Sequence, residues 1–317
     1  MRVLVTRRIP EQALEIVRSA TDMEIWEEDC PIPRPFLMEK IASLEGLLCM
    51  LTDRIDAKLL DCAPNLRVVS QMAVGYDNID VPACRARGVL VGNTPGVLTD
   101  TTADLTFGLI LATARRMIES EHFLRQGEWK TWSPLLLVGQ DVHHATLGIV
   151  GMGRIGYEVA RRAFGFQMRI LYTGNRNNEE AERNFGAVRV PLETLLRESD
   201  FVSMHTPLNP QTRYFIGAEQ LKLMKPTGIL INTARGAVID TEALIEALRS
   251  RRIGGAGLDV FEQEPLPMDS PLLELDNVTL LPHIGSSSLA TRTKMAVLAA
   301  HNLVAGLQEK PLPHPLG

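Results

Sequence analysis

The sequence carries no block of basic residues and no basic run interleaved with aromatics, and its formal net charge is −5. Binding along a nucleic-acid backbone needs clustered cations, so this balance argues against nucleic acid as the main partner. Cysteine is scarce as well. Cys30, Cys49, Cys62 and Cys84 all fall in the first third of the chain, and no two of them have CxxC spacing. Neither a zinc site nor a redox pair is indicated, no metal is expected, and four scattered thiols fit a reduced, cytoplasmic protein. No apolar run approaches the roughly 20 residues that span a bilayer, which argues against a membrane partner. Arg7 and Arg8 lead into Pro10 and Glu11 rather than into an apolar segment, so no secretory leader is expected. Internal repeats and low-complexity tracts are missing too.

What is present is an ordinary globular composition, 45% hydrophobic and 22% charged, in 317 residues, enough for two domains. Short apolar runs alternate with amphipathic stretches, the pattern of an α/β protein with doubly wound parallel sheets. In the first third the strand candidates are 2–6, 23–27, 46–51, 67–72 and 89–93, with helices over 10–20 and 34–43. A second series follows at 146–151, 168–173, 187–190, 201–206, 228–234, 255–260 and 277–282, with helices at 154–164 and 240–250. Two series of strands imply two Rossmann-like domains, with a boundary near Pro95 and Gly96. A long apolar helix is predicted from Thr101 to Met117, where Thr101 and Asp104 have capping-box spacing. A last helix is predicted over 289–308.

"GIVGMGRIGYEV" places a glycine-rich turn between a strand and a helix. Gly151 suits the tight turn, Gly153 a close approach of backbone to a pyrophosphate, and Gly156 the packing of helix on strand. The helix start, from Arg154, then offers free N–H groups to phosphates. A glycine turn that merely packs a βα unit is the plainer alternative, and cofactor binding is the stronger one. An acid for the ribose is expected about 20 residues further on. The chain instead reads "YTGNR", with Thr173, Gly174, Asn175 and Arg176. A small residue in place of the acid makes room for a 2′-phosphate, and an arginine supplies fork-shaped donors to it. NADP(H) is therefore favoured. NAD(H) stays open, because Glu179 or Glu180 could reach a ribose instead and Arg176 could be an ordinary solvated residue.

Three more segments carry reactive side chains at strand ends, where open α/β sheets bind ligands. Arg235 follows 228–234, Asp259 ends 255–260 with Glu264 just beyond, and His283 follows 277–282. An arginine can hold a substrate carboxylate, and a histidine can give a proton to a carbonyl oxygen as hydride reaches carbon. A glutamate on the other ring nitrogen would fix the imidazole. Each residue alone has a plainer reading as a cap or a turn residue. Together, downstream of a glycine loop, they favour catalysis.

"GMGRIG", "INTARGAVID", "GAGLDVFEQEP" and "LPHIGS" occur in an order and spacing that resembles the D-isomer-specific 2-hydroxyacid dehydrogenases, over nearly the whole chain. Within that family, "VLTDTTADL", "ILYTGNR" and the closing helix look most like glyoxylate/hydroxypyruvate reductases. The resemblance implies that Arg235 binds substrate, that His283 is the proton donor and that Glu264 is its partner. It implies that Val74 and Gly75 offer backbone N–H groups to the substrate carboxylate and that Leu51 lines the same pocket. Ile155, Thr206, Pro207, Thr233, Asp259 and Gly285 would join the glycine loop in holding the cofactor, Asp259 at the nicotinamide amide. It further implies a discontinuous substrate domain, 1–98 plus 287–317, a cofactor domain over 99–286 and a cleft between them. A homodimer is implied, joined in part by an arm at about 120–145 that includes Trp129 and Trp132. The substrate implied is a small 2-keto acid such as glyoxylate or hydroxypyruvate. A bulkier one such as 2-ketogluconate, or a non-catalytic corepressor that senses dinucleotide, are the alternatives. One departure bears on the cofactor: NADP-using reductases of this kind read "TGR", and here Asn175 intervenes.

Overall fold

Val3, Leu4 and Val5, like Leu47, Leu48 and Cys49, are buried on successive positions, facing both sides of the strand. A strand apolar on both faces is stable only inside a sheet covered by helices on each side, which is the condition of parallel sheets. Both sheets of this protein, described as a computed structural model over residues 1–316, meet it. The chain divides into two compact units, Met1–Leu98 with Ser286–Gly317, and Thr99–Gly285. The second junction falls after Gly285, one residue ahead of the expected one.

The first unit runs β1 (Arg2–Val5), α1 (Glu11–Ala20), β2 (Asp22–Ile25), α2 (Arg34–Lys40), β3 (Gly46–Cys49), α3 (Ala57–Leu60), β4 (Val68–Gln71), α4 (Val81–Ala86) and β5 (Leu90–Gly92). Its five strands are parallel in the order β2-β1-β3-β4-β5, so the winding reverses between β1 and β3.

The second unit opens with α5 (Thr99–Ala114) and α6 (Met117–Arg125). It continues through β6 (Thr146–Val150), α7 (Arg154–Gly165), β7 (Arg169–Thr173), α8 (Glu179–Phe185), β8 (Val188–Arg189), α9 (Leu192–Glu198) and β9 (Phe201–Met204). It ends with α10 (Ala218–Leu223), β10 (Ile229–Asn232), α11 (Thr241–Arg249), β11 (Gly255–Leu258) and β12 (Val278–Leu280). The seven parallel strands lie in the order β12-β11-β10-β9-β6-β7-β8, with the reversal between β6 and β9. That is the Rossmann arrangement, and ligands bind beyond the carboxyl ends of the strands at the reversal.

The helix expected over Thr101–Met117 is displaced. It starts at Thr99, so Thr101 is its third residue and does not cap it. Asp104 is drawn instead into an ion pair with Arg162 of α7, whose Nε donates to it at 2.7 Å. The helix ends at Ala114 because Arg116 takes a left-handed backbone, φ 51°, and a separate helix begins after it. From Gly127 to Ala145 the chain forms no regular element, and Trp132 and Leu135 stand 77% and 83% exposed.

The last helix, α12 (Leu289–Leu307), packs on α1 and along β3 and β4. The following tail covers the open edge of β5, with the Leu316 amide donating to the Val91 carbonyl at 2.7 Å. An uncovered edge would invite pairing with another chain. Buried Asn302 joins helix, edge and tail, donating to the Asn93 carbonyl at 2.9 Å and accepting from the His314 amide at 3.0 Å. Replacing it by alanine strips partners from two backbone groups. We expect Asn302→Ala to lower unfolding free energy by about 2–3 kcal/mol in urea denaturation. A loss below about 0.5 kcal/mol would show that the tail is not held by this residue.

Candidate active site

Where β6 ends, the backbone turns at Gly151 with φ 103°. A Cβ there would lie 2.7 Å from the His205 carbonyl oxygen, and one at Gly156 would run into the Gly151 carbonyl. Those two glycines are required by the chain's own backbone. Gly153 is different: a Cβ on it would meet nothing within 4 Å. Its lack of a side chain leaves open space at the helix start, which suits the close approach of a ligand. Gly153 also caps α7 without a side-chain hydrogen bond, leaving the first N–H groups at Arg154 and Ile155 to another acceptor. After β9 come Thr206 and Pro207, and the buried Thr206 hydroxyl has no partner among the described residues. A concave backbone, free helix-terminal amides and an orphaned hydroxyl fit a dinucleotide pyrophosphate.

The end of β7 joins this turn through the Gly151 amide, which donates to the Thr173 carbonyl at 2.9 Å. Position 174 bears no side chain, and a Cβ there would touch only the Met152 amide, at 3.8 Å. The segment beyond is held in place from several sides. Asn178 caps α8 and donates to the Met152 carbonyl at 3.2 Å. Arg189, at the end of β8, donates to the Gly174 carbonyl at 2.7 Å and to Asn177 Oδ1 at 2.8 Å. The acids nearby are engaged: Glu180 accepts from the Tyr157 hydroxyl at 3.0 Å and Glu182 from the Tyr172 hydroxyl at 2.5 Å.

At the end of β10 the Asn232 side chain shapes the turn. It donates to the Arg235 carbonyl at 2.8 Å and accepts from the Ala234 amide at 3.0 Å. Between them, buried Thr233 shares a 2.7 Å hydrogen bond with Thr106 of α5. Asp259 follows β11, buried, and its two carboxylate oxygens accept from the Ile284 and Gly285 amides at 2.7 and 2.8 Å. Its carbonyl accepts from the His283 amide at 2.9 Å. Burial pushes the Asp259 carboxyl above its ordinary value despite these donors. His283 has a left-handed backbone, φ 53°, an uncommon conformation for a residue other than glycine.

His283 Nδ1 lies 2.6 Å from Glu264 Oε2, while Glu264 Oε1 accepts from the Phe261 amide at 3.0 Å. An ionised carboxylate only accepts, so Nδ1 carries a hydrogen and Nε2 is the nitrogen left for exchange with a ligand. Burial opposes charge on Glu264, but the hydrogen bond and charge of His283, the Phe261 amide and the Arg235 charge together hold its carboxyl below the ordinary value. The expected trio therefore meets in part: Glu264 and His283 touch, and Arg235 is near enough for its charge to act on Glu264.

In the first unit Leu51 follows β3, and Val74 and Gly75 follow β4. Among the described residues neither the Val74 nor the Gly75 amide donates a hydrogen bond within the protein. Their carbonyls are pinned, that of Val74 by Asn93 at 2.7 Å and that of Gly75 by Gln71 at 2.5 Å. Gln71 also exchanges hydrogen bonds with Asn78, which donates to the Asp53 carbonyl at 2.7 Å and so joins the turn after β3 to the one after β4. None of Gln71, Asn78, Asn232 or Arg189 was singled out by sequence reasoning. Asn232 lies inside the quoted "INTARGAVID", which was the only available signal.

The family model described as "D-isomer specific 2-hydroxyacid dehydrogenase, NAD binding domain" matches residues 107–285. A glyoxylate reductase of Korarchaeum cryptofilum is 52% identical over 305 residues, 96% of this chain and 92% of its own. One of Thermococcus onnurineus is 51% identical over 308 residues, again 96% and 92%. The chain belongs to the D-isomer-specific 2-hydroxyacid dehydrogenase family. Among solved structures, a protein of Thermus thermophilus matches with a TM-score of 0.93 and 46% identity over 100% of both chains. An NADPH-dependent glyoxylate/hydroxypyruvate reductase of Sinorhizobium meliloti, in complex with NADP and malonate, matches at 0.86 with 33% identity, over 100% of this chain and 96% of that one.

As a dehydrogenase of this family the protein is an oxidoreductase, and its second unit is the NAD-binding domain. The lowered Glu264 value has a consequence for stability. A carboxyl whose value falls on folding stabilises the native state fully above its ordinary value, here 4.5, and loses that contribution as pH falls through the folded value. We expect the dehydrogenase to be more stable than its Glu264→Gln variant near neutral pH, with the gap closing as pH falls below 4.5. Urea midpoints of both proteins across that range check this. A gap that stays constant or widens in acid would contradict it.

Proposed function

We propose that this dehydrogenase reduces a small 2-keto acid, glyoxylate to glycolate and hydroxypyruvate to D-glycerate, with NADPH as the preferred hydride source and NADH as a weaker one. The observation that carries the reading is the 2.6 Å pair of His283 and Glu264 beside the charge of Arg235. Bound reduced nicotinamide supplies the hydride to the carbonyl carbon. His283 gives its Nε2 proton to the carbonyl oxygen, while Glu264 holds Nδ1–H and offsets the positive ring charge before transfer. Arg235 holds the substrate carboxylate, for which a guanidinium fork is suited. Within the first unit the Val74 and Gly75 amides suit a carboxylate acceptor, with Leu51 following the adjacent strand β3, which favours that unit as the substrate-binding domain.

The cofactor is held by Gly151, Gly153, Arg154, Ile155 and Gly156 at the pyrophosphate and by Thr206, Pro207, Thr233, Asp259 and Gly285 along its length. Thr173, Gly174, Asn175 and Arg176 receive the 2′-phosphate. Support comes from the side-chain-free position at 174 and from relatives that carry the names glyoxylate reductase and NADPH-dependent glyoxylate/hydroxypyruvate reductase. The exposed Trp129, Trp132 and Leu135 favour a homodimer that covers this arm. Four free cysteines favour the reducing environment of the cytoplasm. Among the described residues no helix is long and apolar enough to cross a membrane.

Initial rates with glyoxylate and hydroxypyruvate, each with NADPH and NADH, test the assignment. We expect kcat/KM to favour NADPH by about tenfold or more, roughly 1.4 kcal/mol. A preference for NADH would overturn the cofactor reading and leave the chemistry; no turnover of either acid would overturn the substrate. His283→Ala should lower kcat by about 100-fold or more while NADPH still binds with near-normal affinity in a fluorescence titration. Equal loss of both would make His283 a structural residue.

A further inference from the structure

Arg189 lies outside every motif in the sequence, yet its guanidinium reaches the loop where the ribose acid is missing. β8 is a two-residue edge strand, and Arg189 sits in register beside Tyr172, one residue before Thr173. From there it crosses the end of β7 to the Gly174 carbonyl and Asn177 Oδ1. Both acceptors are neutral. Among the described residues no carboxylate pairs with Arg189: Glu182 accepts from Tyr172 and Glu180 from Tyr157. A guanidinium has five N–H donors and a charge that never leaves it. Arg189 therefore brings a positive charge that forms no ion pair among the described residues, with donors to spare, against the backbone of Gly174, whose missing side chain leaves room for a phosphate.

We propose that Arg189 is a specificity-determining residue for the 2′-phosphate of NADP, holding the 174–177 segment in its receptive shape and adding a second positive charge to that of Arg176. The inference rests on the NADPH reading above. It also bears on the inserted Asn175: with Arg176 displaced by one position, a cation fixed from the neighbouring strand keeps positive charge at Gly174 wherever the Arg176 side chain points. A carboxylate in the same place would repel the phosphate, and a lone lysine would give a point charge without the fork.

The test is calorimetric binding of 2′,5′-ADP and of 5′-ADP to the full-length protein and to Arg189→Ala, Arg189→Gln, Arg189→Lys and Arg176→Ala. Without nicotinamide, these ligands report the adenosine end alone. We expect Arg189→Ala and Arg189→Gln to weaken 2′,5′-ADP by about tenfold while 5′-ADP changes by less than about twofold. Arg189→Lys should fall between them and the parent. Equal weakening of both ligands would make Arg189 a latch of the loop with no part in phosphate selection and would overturn the proposal. So would a loss of 2′,5′-ADP in Arg176→Ala alone, which would leave the NADPH reading standing. If the parent protein does not prefer 2′,5′-ADP to 5′-ADP, the NADPH reading itself is wrong and this inference falls with it. Arg189→Gln keeps a donor for the Gly174 carbonyl, so it carries the test if the alanine variant fails to fold.

Discussion

One buried carboxylate holds the carboxyl end of the second sheet together. Asp259 receives the Ile284 and Gly285 amides on its two oxygens and the His283 amide on its carbonyl, and its own amide donates to the Asn232 carbonyl at 2.9 Å. Three adjacent strands, β10, β11 and β12, are thereby joined just beyond their carboxyl ends. Burying a charge is costly, and the raised value of the Asp259 carboxyl shows that its donors do not fully offset that cost. What the arrangement secures is the backbone of His283. A left-handed conformation costs on the order of 1–3 kcal/mol and persists only where neighbouring contacts over-determine it. Here the histidine's own amide and the two that follow it are bound to the same residue. With the backbone fixed, Nδ1 falls on Glu264, which leaves Nε2 as the nitrogen open to a ligand.

The sheets were legible in the sequence because parallel strands are buried on both faces and read as uninterrupted apolar runs. All twelve strand candidates form strands, including β2 and β8, which are more exposed and lie at the sheet edges. The errors lie where a distant side chain or a single backbone angle decides. Thr101 and Asp104 have the spacing of a capping box, but the helix starts earlier, at Thr99, and Asp104 pairs with Arg162, 58 residues away. The apolar pattern of α5 runs on past Ala114, and only the left-handed turn at Arg116 stops it. Local pattern carries no signal for either.

The site was legible unevenly, for a related reason. Reactive residue types at strand ends drew attention to Arg235, Glu264 and His283, and resemblance gave them roles. The residues that hold them escaped notice. Asn232, Gln71 and Asn78 act by hydrogen-bonding backbone carbonyls and amides in turns, a task with no periodicity and no characteristic spacing. Gln71 and Asn78 reach one another across seven positions and then the Asp53 carbonyl 25 positions back. Such contacts become visible only when the strands carrying them are set side by side.

The acid that is absent beyond the glycine loop, where one is expected, looks different once the neighbouring charges are placed. Loss of one carboxylate would matter little if another could take its place, and α8 begins with Glu179 and Glu180 and continues to Glu182. Glu180 and Glu182 each accept a tyrosine hydroxyl, and Tyr172, which Glu182 engages, itself accepts from the Asn178 amide at 2.8 Å. The same Asn178 caps α8 and bonds back to Met152 in the glycine turn. Negative charge is thus fastened to the helix side of the loop while Arg189 is fastened to the strand side, at Gly174. A substitution of the acid alone would make a neutral site. With Glu180 and Glu182 tied to tyrosines, Arg189 adds positive charge there through hydrogen bonds to neutral partners, the Gly174 carbonyl and Asn177 Oδ1.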